Sequence, residues 1–99
     1  MAKIVALCGS MRFAERMQEV AEGLELERGW AVLSPVMHVL PRALTEAEAE
    51  RLGNIHRAKI DLAEAVYVVN VGGYIGEAAR AEIAYARAKG KEIMFLETE

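Results

Sequence analysis

Two short, largely apolar runs, KIVALC at residues 3–8 and VYVVN at residues 66–70, each give way to glycine and then to a helical pattern. Runs of this kind suit strands covered on both faces, and a glycine turn that feeds a helix carries the chain back over the sheet. Strands that alternate with helices pair in parallel through right-handed crossovers. The chain is thereby restricted to an α/β fold.

The remaining segments fit that frame. From residue 11 to about residue 28, Phe13, Met17, Val20 and Leu24 recur at helical spacing, while Glu15, Glu19, Glu22 and Glu25 occupy other faces. Gly29 stops this helix, and a second strand occupies residues 30–33, before Pro35. Residues 35–44, PVMHVLPRAL, are bracketed by prolines and have no period, so they read as a loop whose apolar side chains line a pocket. Thr45 and Glu48 form a capping box for a helix running to about residue 64. Its inward face is expected to carry Leu52, Ile55, the stem of Lys59 and Leu62, with Gly53 a weak point. After the second glycine turn, Ala79, Ile83 and Ala86 mark a helix face, Gly90 ends the helix, and residues 92–96 form a fourth strand.

The expected architecture is a small flavodoxin-like, three-layer fold with a mostly parallel four-stranded sheet in the order 2-1-3-4. The chain reverses direction between strands one and three. The loops after Cys8 and Asn70 therefore flank the crevice in which such sheets hold ligands.

With 99 residues, the expectation is one domain spanning residues 1–99 and one modest core. The net charge is −3, from twelve Lys and Arg scattered among fifteen acids, which leaves no basic field for a nucleic acid polymer. A mononucleotide is still compatible with that balance. The single cysteine, Cys8, makes no internal disulfide, no signal-like segment precedes residues 4–7, and a cytoplasmic location is expected. No apolar run approaches membrane-spanning length, so the 54% hydrophobic content is assigned to a core or an oligomer interface.

Gly9-Ser10-Met11-Arg12 joins a strand to a helix start and offers free amides, a hydroxyl and a guanidinium to an anion. Neither a Walker loop nor a GxGxxG pattern is present. Past the second glycine turn lie two acids. Glu77 falls in the first helical turn, where a carboxylate complements the dipole, whereas Glu82 sits a turn later among small residues that leave it accessible. Asp61, Glu64 and His56 lie on the helix leading into strand three, where one of them is a candidate general acid. His38 and His56 are read as surface or core residues. The two histidines and Cys8 show no metal-ligand spacing, and no metal is expected.

Together, LCGSMRF (7–13), IDLAEAVYVVN (60–70), GGYIGEAARAEI (72–83) and AKGKEIMFL (88–96) resemble the nucleoside 2-deoxyribosyltransferase-like family over nearly the whole chain. This family includes the 2′-deoxynucleoside 5′-monophosphate N-glycosidases. The resemblance implies cleavage of N-glycosidic bonds on a flavodoxin-like sheet, in a homodimer or larger homo-oligomer whose neighbouring subunit closes the site. The family's G-S-x-R pattern, which contacts a 5′-phosphate, is matched by Gly9, Ser10 and Arg12. Gly72, Gly73 and Gly76 are implied to shape the substrate site. The family nucleophile, a glutamate opening E-[LI]-x-x-A, corresponds to Glu82. Where the family places an aspartate, about two turns before strand three, this chain has His56, Arg57 and Ala58. Asp61, the nearest aspartate, lies closer to the strand.

The implied chemistry needs no cofactor. A carboxylate captures an oxocarbenium-like centre and an acceptor then releases the sugar. The expectation is that Glu82 attacks C1′, Asp61 or another donor assists the departing base, and Gly9, Ser10 and Arg12 hold the 5′ end. Water as acceptor gives hydrolysis and a second base gives transfer. The alternative expectation is a non-catalytic nucleotide-binding sensor in the same crevice.

Overall fold

A computed structural model describes residues 2–36 and 41–98. Its elements run β1 (Ile4–Gly9), α1 (Ala14–Arg28), β2 (Ala31–Leu33), α2 (Glu46–Leu62), β3 (Ala65–Val69), α3 (Glu77–Ala88) and β4 (Glu92–Phe95). Short 3₁₀ turns at Met11–Phe13 and Val71–Gly73 follow β1 and β3. The fold is α/β, with an all-parallel sheet ordered β2-β1-β3-β4 and helices on both faces, a flavodoxin-like arrangement. Of the loop expected over residues 35–44, residues 37–40 lie outside the described residues, and His38 with them. Among the described residues no helix is long and apolar enough to cross a membrane.

Alternation along the central strands sorts the core into two layers. On one face, Leu7 and Val69 pack with Met17, Val20 and Leu24 of α1. On the other, Ala6, Cys8, Val66 and Val68 meet Ile60 of α2 and Ile83 and Ala86 of α3. Fully burying side chains of this size stabilises the fold by about 1.5–3 kcal/mol each. The central register pairs Val5 with Ala65 and Gly9 with Val69, so β1 and β3 end side by side. Gly9 fits closely there, because a Cβ would lie a tight 3.1 Å from the Val69 carbonyl oxygen and 3.3 Å from Met17 Sδ.

Helix boundaries follow local chemistry. The Thr45 hydroxyl accepts from the Glu48 amide at 3.1 Å while the Glu48 carboxylate accepts from the Thr45 amide at 2.9 Å, the reciprocal capping box expected of these residues. Arg42 grips that same carboxylate with two nitrogens at 2.8 and 3.0 Å. At the other end of α1, Gly29 adopts φ 68°, and its amide bonds back to Leu24 and Glu25.

The rotation of α2 differs from the sequence expectation. His56 and Ile60 are buried, whereas Ile55 and Leu62 are exposed, Leu62 by 71%. The sheet face beneath α2 presents Ala6 and Cys8. Such small side chains admit the narrow stripe of Gly53, His56, Ile60 and Ala63 and leave no need for the bulkier one. Lys59, expected to face inward by its stem, donates from Nζ to the Ser34 carbonyl at 2.7 Å and ties α2 to the end of β2.

Candidate functional site

A cleft of about 460 Å³ opens at the C-terminal ends of β1 and β3, between the Gly9-Ser10 turn, the inner face of α2 and the start of α3. Sheets of this topology hold ligands at this position, because loops diverge there and helix N-termini converge. Ser10 caps the first turn, its Oγ accepting from the Arg12 amide at 3.3 Å. Gly76 is the N-cap of α3 and supplies no side-chain cap. The first amides of α3 therefore remain available to a ligand beside Ser10. A Cβ at Gly76 would make only ordinary contacts, 3.6 Å from the Tyr74 ring and 3.8 Å from Ser10 Cβ, which places the start of α3 against the Ser10 turn.

Three polar side chains meet on the inner wall of the cleft. Cys8 reaches in from β1, His56 from α2 and Glu82 from α3, and their donor atoms all lie within 4.8 Å of one another. His56 Nε2 stands 3.6 Å from Cys8 Sγ and 3.8 Å from Glu82 Oε1. Cys8 is wholly buried and His56 nearly so, whereas the Glu82 side chain is 18% exposed and lines the cleft. The alanine-rich face of α3, with Ala79 and Ala86 buried against the sheet and α2, draws Glu82 down to that depth.

Burial governs the protonation of all three groups. It pushes the Glu82 carboxyl above its ordinary range, with the Cys8 thiol and the Arg57 charge acting against it. It pushes His56 down, helped by the positive charge of Lys59 and opposed by the Leu7 backbone. Among the described residues His56 Nδ1 has no partner meeting hydrogen-bond geometry, so the Leu7 backbone opposes the shift only weakly. The Cys8 thiol is pushed up by burial first and by neighbouring Glu82 second. His56 is neutral at pH 7 on this balance. Its approach to Glu82 is a polar contact and not an ion pair.

The residues singled out from sequence divide between this cleft and other surfaces. Gly9, Ser10, Gly76, Glu77 and Glu82 all line the cleft. Arg12 stands just outside, its guanidinium 4.1 Å from the centre of the Tyr74 ring, and Tyr74 in turn lines the cleft. Gly72 and Gly73 border a separate concavity with Asn70 and Glu97. Their φ values of 65° and 82° serve the turn. The Gly72 amide donates to the Glu97 carboxylate at 2.9 Å. Asn70 exchanges two hydrogen bonds with the Glu97 backbone at 2.8 and 2.9 Å.

Asp61 is not part of the cleft lining. Its exposed carboxylate accepts from the Tyr85 hydroxyl at 2.8 Å and lies 3.9 Å from Lys89 Nζ. Glu64 accepts from the Ile4 amide at 3.2 Å, at the opposite end of the sheet. The residue on α2 that meets Glu82 is His56, one turn and a fraction before Asp61. Its partners lie far away in sequence, so no spacing along the chain announces the cluster. The one signal in the chain is that residues 56–58 hold His56, Arg57 and Ala58 where the resemblance leads one to expect an aspartate.

No protein-family model matches the chain, and no curated protein matches it either.

Proposed function

We propose that this cleft cleaves the N-glycosidic bond of a 2′-deoxynucleoside or its 5′-monophosphate, with Glu82 as nucleophile. The observation that carries the proposal is a partly buried carboxylate on the inner wall of the cleft that the Gly9-Ser10 turn and the start of α3 also line. A carboxylate stripped of much of its water is a better nucleophile once ionised, and its raised pKa reflects that loss of solvation. The resemblance of residues 7–13 and 72–86 to the nucleoside 2-deoxyribosyltransferase-like family supports the choice of substrate.

In this reading Glu82 attacks C1′ as the base departs, forming a glycosyl ester that water or a second base then resolves. Ser10, the free amides at the start of α3 and the nearby Arg12 hold the 5′ end. His56 takes the place expected of Asp61, as the neighbour that orients the Glu82 carboxylate and exchanges a proton at Nε2. The same resemblance supports a homodimer or larger homo-oligomer, and the single cysteine, Cys8, fits a cytoplasmic location.

The test is a panel of nucleosides and 5′-monophosphates assayed for free base, with and without a second base as acceptor. Release that requires Glu82 supports the proposal, and new nucleoside in the acceptor arm identifies transfer. Release undiminished in Glu82→Gln removes Glu82 as nucleophile.

A further inference from the structure

The cluster of Cys8, His56 and Glu82 has a second chemical capacity. Thiolate, imidazole and carboxylate are the ligand set of zinc-class divalent ions, and three protein ligands with one open position is the pattern of sites that face a cavity. Zinc–sulfur and zinc–nitrogen bonds at a tetrahedral angle put the two ligand atoms about 3.6 Å apart. Cys8 Sγ and His56 Nε2 are already separated by 3.6 Å. The 3.8 Å from His56 Nε2 to Glu82 Oε1 closes to tetrahedral spacing with a small rotation of the partly buried Glu82 side chain.

The charges also balance. A thiolate and a carboxylate neutralise a divalent ion, so the occupied centre carries no net charge into a buried site. Glu82 faces the cleft and Cys8 lies behind it, which gives the ion a path from solvent. The fourth ligand position would open toward the cleft.

We propose that Cys8 Sγ, His56 Nε2 and a Glu82 carboxylate oxygen bind one zinc-class divalent ion at the floor of the cleft, and that this ion and substrate attack by Glu82 exclude each other. Binding releases the Cys8 thiol proton to solvent, together with any proton held by Glu82. The exclusion rests on the nucleophilic reading of Glu82, whereas the ion site does not.

Metal-free protein titrated with Co²⁺ tests the site without any substrate. The expected result is thiolate-to-cobalt charge-transfer absorption that saturates at one ion per chain and is displaced by Zn²⁺. Affinity should fall by about tenfold or more in Glu82→Gln and in His56→Ala, since even outer-shell changes cost about 10- to 100-fold. The band should be lost in Cys8→Ala, with circular dichroism confirming that each variant is folded. Absence of the band in folded wild type overturns the site, as does an unchanged affinity in both Glu82→Gln and His56→Ala. In the base-release assay, Zn²⁺ should inhibit to completion at one ion per chain. Release that persists at saturating Zn²⁺ overturns the exclusion. A preparation that binds cobalt as expected but releases no base under any condition overturns the glycosidic reading and leaves the ion site standing.

Discussion

His56 Nε2 lies 3.8 Å from Glu82 Oε1 across the contact between α2 and α3, although 26 positions separate the two residues in the chain. This contact makes His56, and not Asp61, the residue of α2 that stands beside Glu82. Replacing His56 by Ala should lower kcat by about 10²-fold, the scale of a positioned acid–base group, with KM little changed. Asp61→Asn should leave kcat within about twofold, because Asp61 lies outside the cleft lining and its carboxylate faces Tyr85 and Lys89 in an exposed pair. Steady-state kinetics on the two variants separates the roles, and a larger loss in Asp61→Asn would reverse the assignment.

Glu82→Gln keeps the shape of the side chain and removes its negative charge. Base release should fall on the order of 10³-fold or more, as when a covalent nucleophile is lost. Thermal unfolding should show no loss of stability, because an amide is cheaper to bury than an ionised carboxylate.

The pH dependence of turnover follows from the direction of the Glu82 shift. In the proposed reaction only the ionised carboxylate attacks, so activity should rise with pH as Glu82 loses its proton. Burial raises that pKa, and the acid limb of kcat/KM should therefore have its midpoint above 4.5, the ordinary value for this group. An acid limb centred at or below that value would show that a different group controls the reaction.

Cys8 makes a separate prediction about stability. Its folded pKa is raised well above the ordinary 9.0. Below that ordinary value both the folded and unfolded thiols are protonated, and the stabilisation is fully present. As the pH climbs beyond it, the unfolded thiol ionises first, and stability falls by about 1.4 kcal/mol per pH unit from this group alone. Denaturant titrations of wild type and Cys8→Ala should diverge in slope above that pH. Parallel profiles would place Cys8 in a more solvated setting.

Two glycines should respond differently to alanine. Gly72→Ala places a Cβ at φ 65° with no neighbour in the way, so the cost is the left-handed conformation itself, about 1–2 kcal/mol, with activity retained in the folded fraction. Gly9→Ala instead presses on the Val69 carbonyl and Met17, where overpacking costs about 1–3 kcal/mol and shifts the turn that carries Ser10. Melting temperature and base release measured together distinguish the two.

The layering and strand order were legible in the chain because periodicity and glycine stops are local signals. Ala79, Ile83 and Ala86 declared the buried face of α3, and Thr45 with Glu48 declared the start of α2. The rotation of α2 was not legible. Its sequence offers two stripes, and the choice between them depends on the small side chains of a strand more than 40 positions earlier. For the same reason the Cys8–His56–Glu82 cluster was hidden, since each member comes from a different element and only the folded sheet brings them together. The glycines of the second turn misled in the opposite sense. Their positive φ marks a change of direction, and Gly76, with an ordinary φ of −76°, is the one that borders the cleft.

The alternation of side chains along β1 separates durability from chemistry. Val5 and Leu7 are fully buried, and Leu7 belongs to the cluster under α1, while Cys8 projects to the opposite face beside His56 and Glu82. Substitutions distant from one another and without shared partners add nearly independently. Variants of α1 can therefore be selected for heat tolerance while specificity is re-engineered from α2 and α3, with the sheet acting as a partition between the two campaigns.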